Sequence, residues 1–173
     1  ASFGSYDDYL AGLEMIATAK PFDPFHYPRI AQLTQRSNQF NLRTVRYTEA
    51  QIEALATSDE HITRYYTLRD KFGDYGLISV VVMDKQPEST LFISEWLMSC
   101  RVLKRGMEEF IINDLMAAAK ENGYARVAGE YIKTAKNAMV ADIYERMGFS
   151  RDGEQFTANT ADFMPNKTHI KGE

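Results

Sequence analysis

The sequence predicts a mixed α/β (α+β) fold: a mostly antiparallel sheet flanked by helices, with a helical extension at the N-terminus. Three observations carry this. Apolar runs at residues 62–68, 77–83 and 91–98 have strand length, and the stretches between them, 73–76 and 84–89, are built of residues that favour turns. A helical pattern after residue 106 then leads to another apolar run at 125–132, the order of a crossover between parallel neighbours. At 173 residues, with 45% hydrophobic, 12% aromatic and 25% charged, the chain is sized for about one domain with a real core, and its composition excludes disorder and coiled coil.

Taken in order, Ser5 and Asp8 form a capping box, and Tyr6, Tyr9, Leu10, Leu13 and Ile16 recur at helical spacing, so residues 5–19 read as an amphipathic helix. The three prolines of residues 21–28 stop it, and Pro28 opens a second helix to about Asn38 that buries Ile30 and Leu33. Residues 1–40 are thus expected to be a helical arm, and residues 41–173 the main domain. Residues 42–47 read as a strand, and Thr48 with Gln51 caps a short helix carrying Ile52 and Leu55. After the meander of three strands, Met107, Phe110, Ile111, Leu115 and Ala118 fall on one helical arc that ends at Asn122-Gly123. Residues 137–146 read as another helix, closed by Gly148, with one or two weaker strands after Phe149.

Composition also narrows the chemistry. One cysteine excludes a disulfide framework or a thiolate metal cluster, and His26, His61 and His169 lack any metal-ligand spacing, so no metal is expected. A formal charge of −4, with no long basic run, argues against nucleic acid as partner. No apolar stretch approaches the roughly 20 residues needed to span a bilayer and no signal peptide is recognisable, so a cytoplasmic location without membrane attachment is expected.

Two features suggest chemistry. Residues 101–106 (Arg-Val-Leu-Lys-Arg-Gly) lie where a strand passes into a helix, and free N–H groups and the helix dipole at such a junction suit an anion. A plain loop with basic residues is the other reading. In Asn137-x-x-x-Ala141-x-x-Tyr144-x-x-x-Gly148-Phe149, a helix would show an amide, a small side chain and a phenol on one face. Such a phenol either protonates a leaving group or simply packs in the core.

Together these motifs, with the strands between them, resemble the GNAT N-acetyltransferase superfamily over residues 41 to about 160. In that superfamily the phosphate loop reads Gln/Arg-x-x-Gly-x-Gly/Ala; Arg101 and Gly106 match, and Lys104 stands where the first Gly would be. Residues 29–48 and the string Trp96-Leu-Met-Ser-Cys-Arg101 resemble more narrowly the C-terminal region of FkbH-like proteins. Their N-terminal half is a haloacid dehalogenase (HAD)-like domain, and they serve polyketide extender-unit assembly on acyl carrier proteins. The sequence contains no Asp-x-Asp-x-Thr motif of such a domain, so the resemblance implies the GNAT-like half of a larger protein, joined through the arm to a HAD-like partner.

The resemblance implies acyl transfer from a pantetheine thioester of coenzyme A, acetyl-CoA or an acyl carrier protein's phosphopantetheine. Leu97, Met98 and Ser99 would orient the thioester carbonyl, and Arg101, Val102, Leu103, Lys104, Arg105 and Gly106 the phosphates. Asn137, Ala141 and Tyr144 would meet the pantetheine arm, with Tyr144 protonating the departing thiolate. Glu95 is the candidate base and Glu130 its weaker rival; a solvent-facing strand carboxylate is the alternative. Cys100, beside Arg101, is a candidate nucleophile or else a small buried hydrophobe, and Trp96 an acyl-pocket wall or packing. The polar residues 36–41 line an acceptor side or cap a helix. A noncatalytic carrier-docking module is the competing functional reading.

Overall fold

The computed structural model describes residues 4–173. Helix α1 (Ser5–Gly12) precedes strand β1 (Ile16–Lys20), and after a 3₁₀ turn (Pro24–His26) come α2 (Tyr27–Arg36) and α3 (Glu49–Ala56). Strands β2 (His61–Asp70), β3 (Gly73–Gln86) and β4 (Thr90–Met98) form the antiparallel meander. Helix α4 (Met107–Glu121) then crosses to β5 (Arg126–Glu130), which pairs parallel to β4. The short α5 (Ile143–Arg146) and strands β6 (Ser150–Asp152), β7 (Gln155–Asn159) and β8 (Lys171–Gly172) complete one eight-stranded sheet, in the order β6-β7-β5-β4-β3-β2-β1-β8.

Two apolar layers sandwich that sheet. Met107, Ile111, Ile112 and Leu115 of α4 pack with Ile78, Met83, Ile93 and Trp96 in one core. Ile30 and Leu33 of α2 and Ile52 of α3 cover Val80, Val82 and Leu97 in the other. Every residue of β4 is buried, as a central strand covered on both faces requires. The Thr48–Gln51 capping box forms as the sequence predicts, and Pro28 sits in the first turn of α2.

Four local expectations are corrected. The helix over 5–19 ends at Gly12, capped by Gly4 without a side-chain bond, and residues 16–20 are strand β1. Glu14 has φ 56, which breaks the helix, and β1 then gains ladder bonds to β2. The arm is therefore not wholly helical. Residues 42–47 are not a strand: this stretch has irregular backbone, and beside it Asn41 makes one isolated antiparallel bridge to Leu97. The helix over 137–146 is instead a 3₁₀ turn (Ala138–Val140) followed by the single turn of α5.

Candidate active site

Parallel pairing of β4 with β5 runs from Thr90↔Arg126 to Ile93↔Gly129 and stops there. At this point Ser94 is the extra residue of a bulge, since Ile93 faces Met83 and Glu95 faces Val82 on β3. A bulge bends its strand and re-aims the side chains that follow. Beyond it β4 and β5 part, and the slot between their ends is the place where the sequence resemblance puts a thioester arm.

The chain's own residues 40–43 fill that slot. Met98 N–H donates to the Phe40 carbonyl at 3.0 Å, Leu42 N–H to Trp96 O at 3.0 Å, and Ile132 N–H to Leu42 O at 2.8 Å. Asn137 Nδ2 donates to Asn41 O at 2.9 Å and to Ile132 O at 3.0 Å. Phe40 lies edge-on to Trp96 with ring centroids 5.3 Å apart. Phe40, Asn41 and Leu42 are all buried.

Glu95 holds the next residues. Its Oε2 accepts from Val45 N–H at 2.7 Å, and its Oε1 from Trp96 N–H at 3.0 Å and Arg43 N–H at 3.4 Å. The side chain is 0% exposed, so it is no solvent-facing carboxylate. Burial pushes its carboxyl up to about 7, against the three backbone donors and Arg43, which pull it down. Arg43 spans the slot: its Nε donates to Glu130 at 3.0 Å and its Nη1 to Ser94 O at 2.7 Å, with the guanidinium over the Phe92 ring.

Tyr144 approaches the same place from the α4 face. It is 1% exposed, wedged among Trp96, Phe149 and Phe156, and its ring lies so close on Gly129 that a Cβ there would stand 2.3 Å from Cζ. Its hydroxyl has no hydrogen-bond partner. Burial foremost, then the charges of Glu95 and Glu130, push its pKa up, with Arg43 opposing. The buried phenol is thus held in its neutral, proton-bearing form.

The loop at residues 101–106 is shaped by left-handed backbone. Lys104 has φ 61 and Gly106 φ 90, so Lys104 occupies a conformation that favours glycine, the residue the resemblance expects there. Gly106 caps α4, and a Cβ on it would stand 2.8 Å from Thr168 Oγ1, which donates to Gly106 O. The Tyr6 hydroxyl donates to Lys104 O. Glu108 and Glu109 occupy the first turn of α4, and burial, with Glu109 nearby, raises the Glu108 pKa. These carboxylates use the helix dipole that an incoming phosphate would use. The Arg101 guanidinium donates to Tyr75 O and Ser99 Oγ.

Cys100 is exposed and its Sγ lies 3.4 Å from Gln39 Oε1. It lines an open cleft of about 630 Å³ with Ser99, Arg36, Asn38 and Lys136, so residues 36–39 form a wall there while also closing α2. The charges of Glu95 and Glu130, bridged by Arg43, act on Tyr144 across the slot, whereas Cys100 lines the separate cleft with Met98 and Ser99 of the β4 end. Asn137, Ala141 and Tyr144 do not share a helix face: Asn137 is 0% exposed and bonded to backbone, whereas Ala141 is exposed. Sequence reasoning missed the occupancy of the slot by residues 40–43 and the role of Arg43. Gly129 carried a sign, since glycine inside a strand pattern marks close approach of another group.

The parted parallel pair, the bulged β4 and the α4 crossover define the fold of the GNAT N-acetyltransferases, and this chain has that fold. The ribosomal-protein-S18-alanine N-acetyltransferase of Escherichia coli superimposes with a TM-score of 0.63 over 88% of this chain and 97% of that one, at 12% identity. The spermidine N-acetyltransferase of Vibrio cholerae, solved with CoA and spermine, gives a TM-score of 0.63 over 84% and 96% of the two chains, at 11% identity. The GNAT domain of S. lividans PAT gives 0.60 over 82% and 89%, at 14% identity. No family model matches the sequence, and no curated protein matches it. No described helix is long and apolar enough to cross a membrane.

Proposed function

We propose that this chain is an acyltransferase domain that moves an acyl group from a pantetheine thioester, of acyl-CoA or an acyl carrier protein, to an amine, hydroxyl or thiol acceptor. One observation carries the reading: Glu95, raised to about 7, and the unpartnered Tyr144 phenol converge on the slot where β4 and β5 part. There Glu95 would take a proton from the acceptor as it attacks the thioester carbonyl carbon, and Tyr144 would give one to sulfur as the C–S bond breaks. Met98 N–H, which donates to Phe40 O, would steady the carbonyl oxygen once that partner is released. The slot is lined by backbone groups that already hold peptide groups, and a pantetheine arm is built of the same amide chemistry.

Residues 41–173 would supply the reacting groups, in a cytoplasmic setting, on a sheet that residues 1–40 complete with β1 and α2, and those first residues would also lead to a HAD-like domain of a longer protein, as the FkbH-like strings suggest. A second reading, a noncatalytic module that docks a carrier for that domain, is favoured by the filled slot and by Glu108 and Glu109 at the phosphate loop.

Calorimetric titration with coenzyme A and acetyl-CoA, beside Arg101→Ala and Tyr144→Phe variants, separates the two. The expected result is binding weakened roughly tenfold by Arg101→Ala, as loss of a charge-assisted contact predicts. Tyr144→Phe should leave binding nearly unchanged while turnover with an amine acceptor falls at least tenfold. Unchanged turnover would remove Tyr144 from the mechanism, and binding without any turnover would leave the docking role.

A further inference from the structure

We propose that residues 40–45 are a displaceable internal segment that holds the acyl-donor slot shut, and that a pantetheine arm takes over its hydrogen bonds when the segment withdraws. The inference rests on the pantetheine reading and adds a gate to it. Its basis is the way the segment is bonded. Phe40 O and Leu42 O accept from Met98 N–H on one wall and Ile132 N–H on the other, and Asn41 O accepts from Asn137 Nδ2. An extended amide ligand in the slot would face the same donors.

Four further observations mark the segment as a stand-in rather than a fixed strand. It forms a single bridge to β4, and its backbone turns left-handed at Thr44, φ 57, a conformation that a β-branched residue holds only under restraint. Beside it the Tyr144 hydroxyl and Trp96 Nε1 are buried without partners, so the segment leaves polar groups around the slot unsatisfied. Its fastening is a polar clasp: the partly buried pair Arg43–Glu130, Arg43 to Ser94 O, and Val45 N–H to the buried Glu95. Release of that clasp also relieves the Glu95 carboxylate of the Arg43 and Val45 N–H groups, leaving it only the Trp96 N–H of its own strand. Closure would therefore withhold the base and the donor slot together, and a ligand that binds only the open form has its affinity reduced by the closed fraction.

The test uses coenzyme A as probe, on the whole chain and on Arg43→Ala, which loosens the clasp without touching the slot's donors. Calorimetry should show Arg43→Ala binding coenzyme A about tenfold more tightly than the wild type. Hydrogen exchange on the wild type, which needs no variant to fold, should show the Leu42 and Val45 amides losing protection when coenzyme A saturates, while Ile132 and Met98 stay protected. Binding with residues 40–45 still protected overturns the gate and leaves the acyltransferase reading intact, whichever protein binds more tightly. Absence of binding by both proteins overturns the pantetheine reading, and the gate with it.

Discussion

Glu95 shows how one residue is set by its surroundings. A carboxyl at 0% exposure loses its hydration, and the three N–H donors around it recover only part of that, so its pKa stands at about 7 against an ordinary 4.5. A folded-state pKa above the unfolded one means that the native protein keeps a proton that the unfolded chain has released. The contribution to stability is present below about pH 4.5 and is lost as pH rises towards about 7. The loss amounts to at most about 3 kcal/mol. Urea denaturation should show the wild type losing stability between pH 5 and pH 8 by a margin that Glu95→Gln largely removes. Equal pH slopes in the two proteins would assign the titration to another group. From sequence, Glu95 was recognisable as a strand carboxylate of interest, but not as a clasp for residues 43–45. Those partners lie some fifty positions away, and only the folded chain brings them together.

At the scale of elements, β5 is fixed by what lies on it. Gly129 accepts the flat ring of Tyr144 from the single turn of α5, and Trp96, Phe149 and Phe156 leave that ring no direction in which to move. Gly129→Ala is expected to destabilise the protein by about 1–3 kcal/mol through overpacking. The midpoint of chemical denaturation measures this, and a near-ultraviolet circular dichroism change should report the displaced tyrosine. A midpoint equal to the wild type would show that the ring yields freely. The elements legible in the sequence were those with long periodic signals: the meander, α4 and the capped α3. The helix expected over 5–19 failed because Leu13, Met15 and Ala17 alternate with a period of two, which competes with the helical stripe that ends on Leu13 and Ile16. The free edge of β2 decided between them by offering a ladder. The 137–146 helix failed for a related reason, since Asn137 bonds Asn41 O and Ile132 O and so ties its segment to two others before a helix can propagate.

For the whole molecule, the decisive matter is whether residues 1–40 stand apart. Leu13, Met15 and Ala17 belong to the same core as α4, and Ile30 and Leu33 cover the opposite face of the sheet. A fragment starting at residue 41 would uncover both faces and one long strand edge. Such a fragment is expected to lack a cooperative thermal transition and to elute as aggregates on gel filtration. A monomeric fragment with a sharp transition would instead establish the division at residue 40.

The sequence by itself determined the order of the sheet's central strands, the crossover through α4, the turn at residues 101–106 and the types of residue available for chemistry. These follow from local periodicity, capping and glycine placement, which neighbours in the chain express directly. Tertiary structure alone decided that β1 joins the sheet, that Tyr144 rests on Gly129, and that residues 40–43 lie between β4 and β5. Each of these is a bargain between distant groups over buried hydrogen bonds and apolar area, and no local pattern records which distant partner will satisfy them.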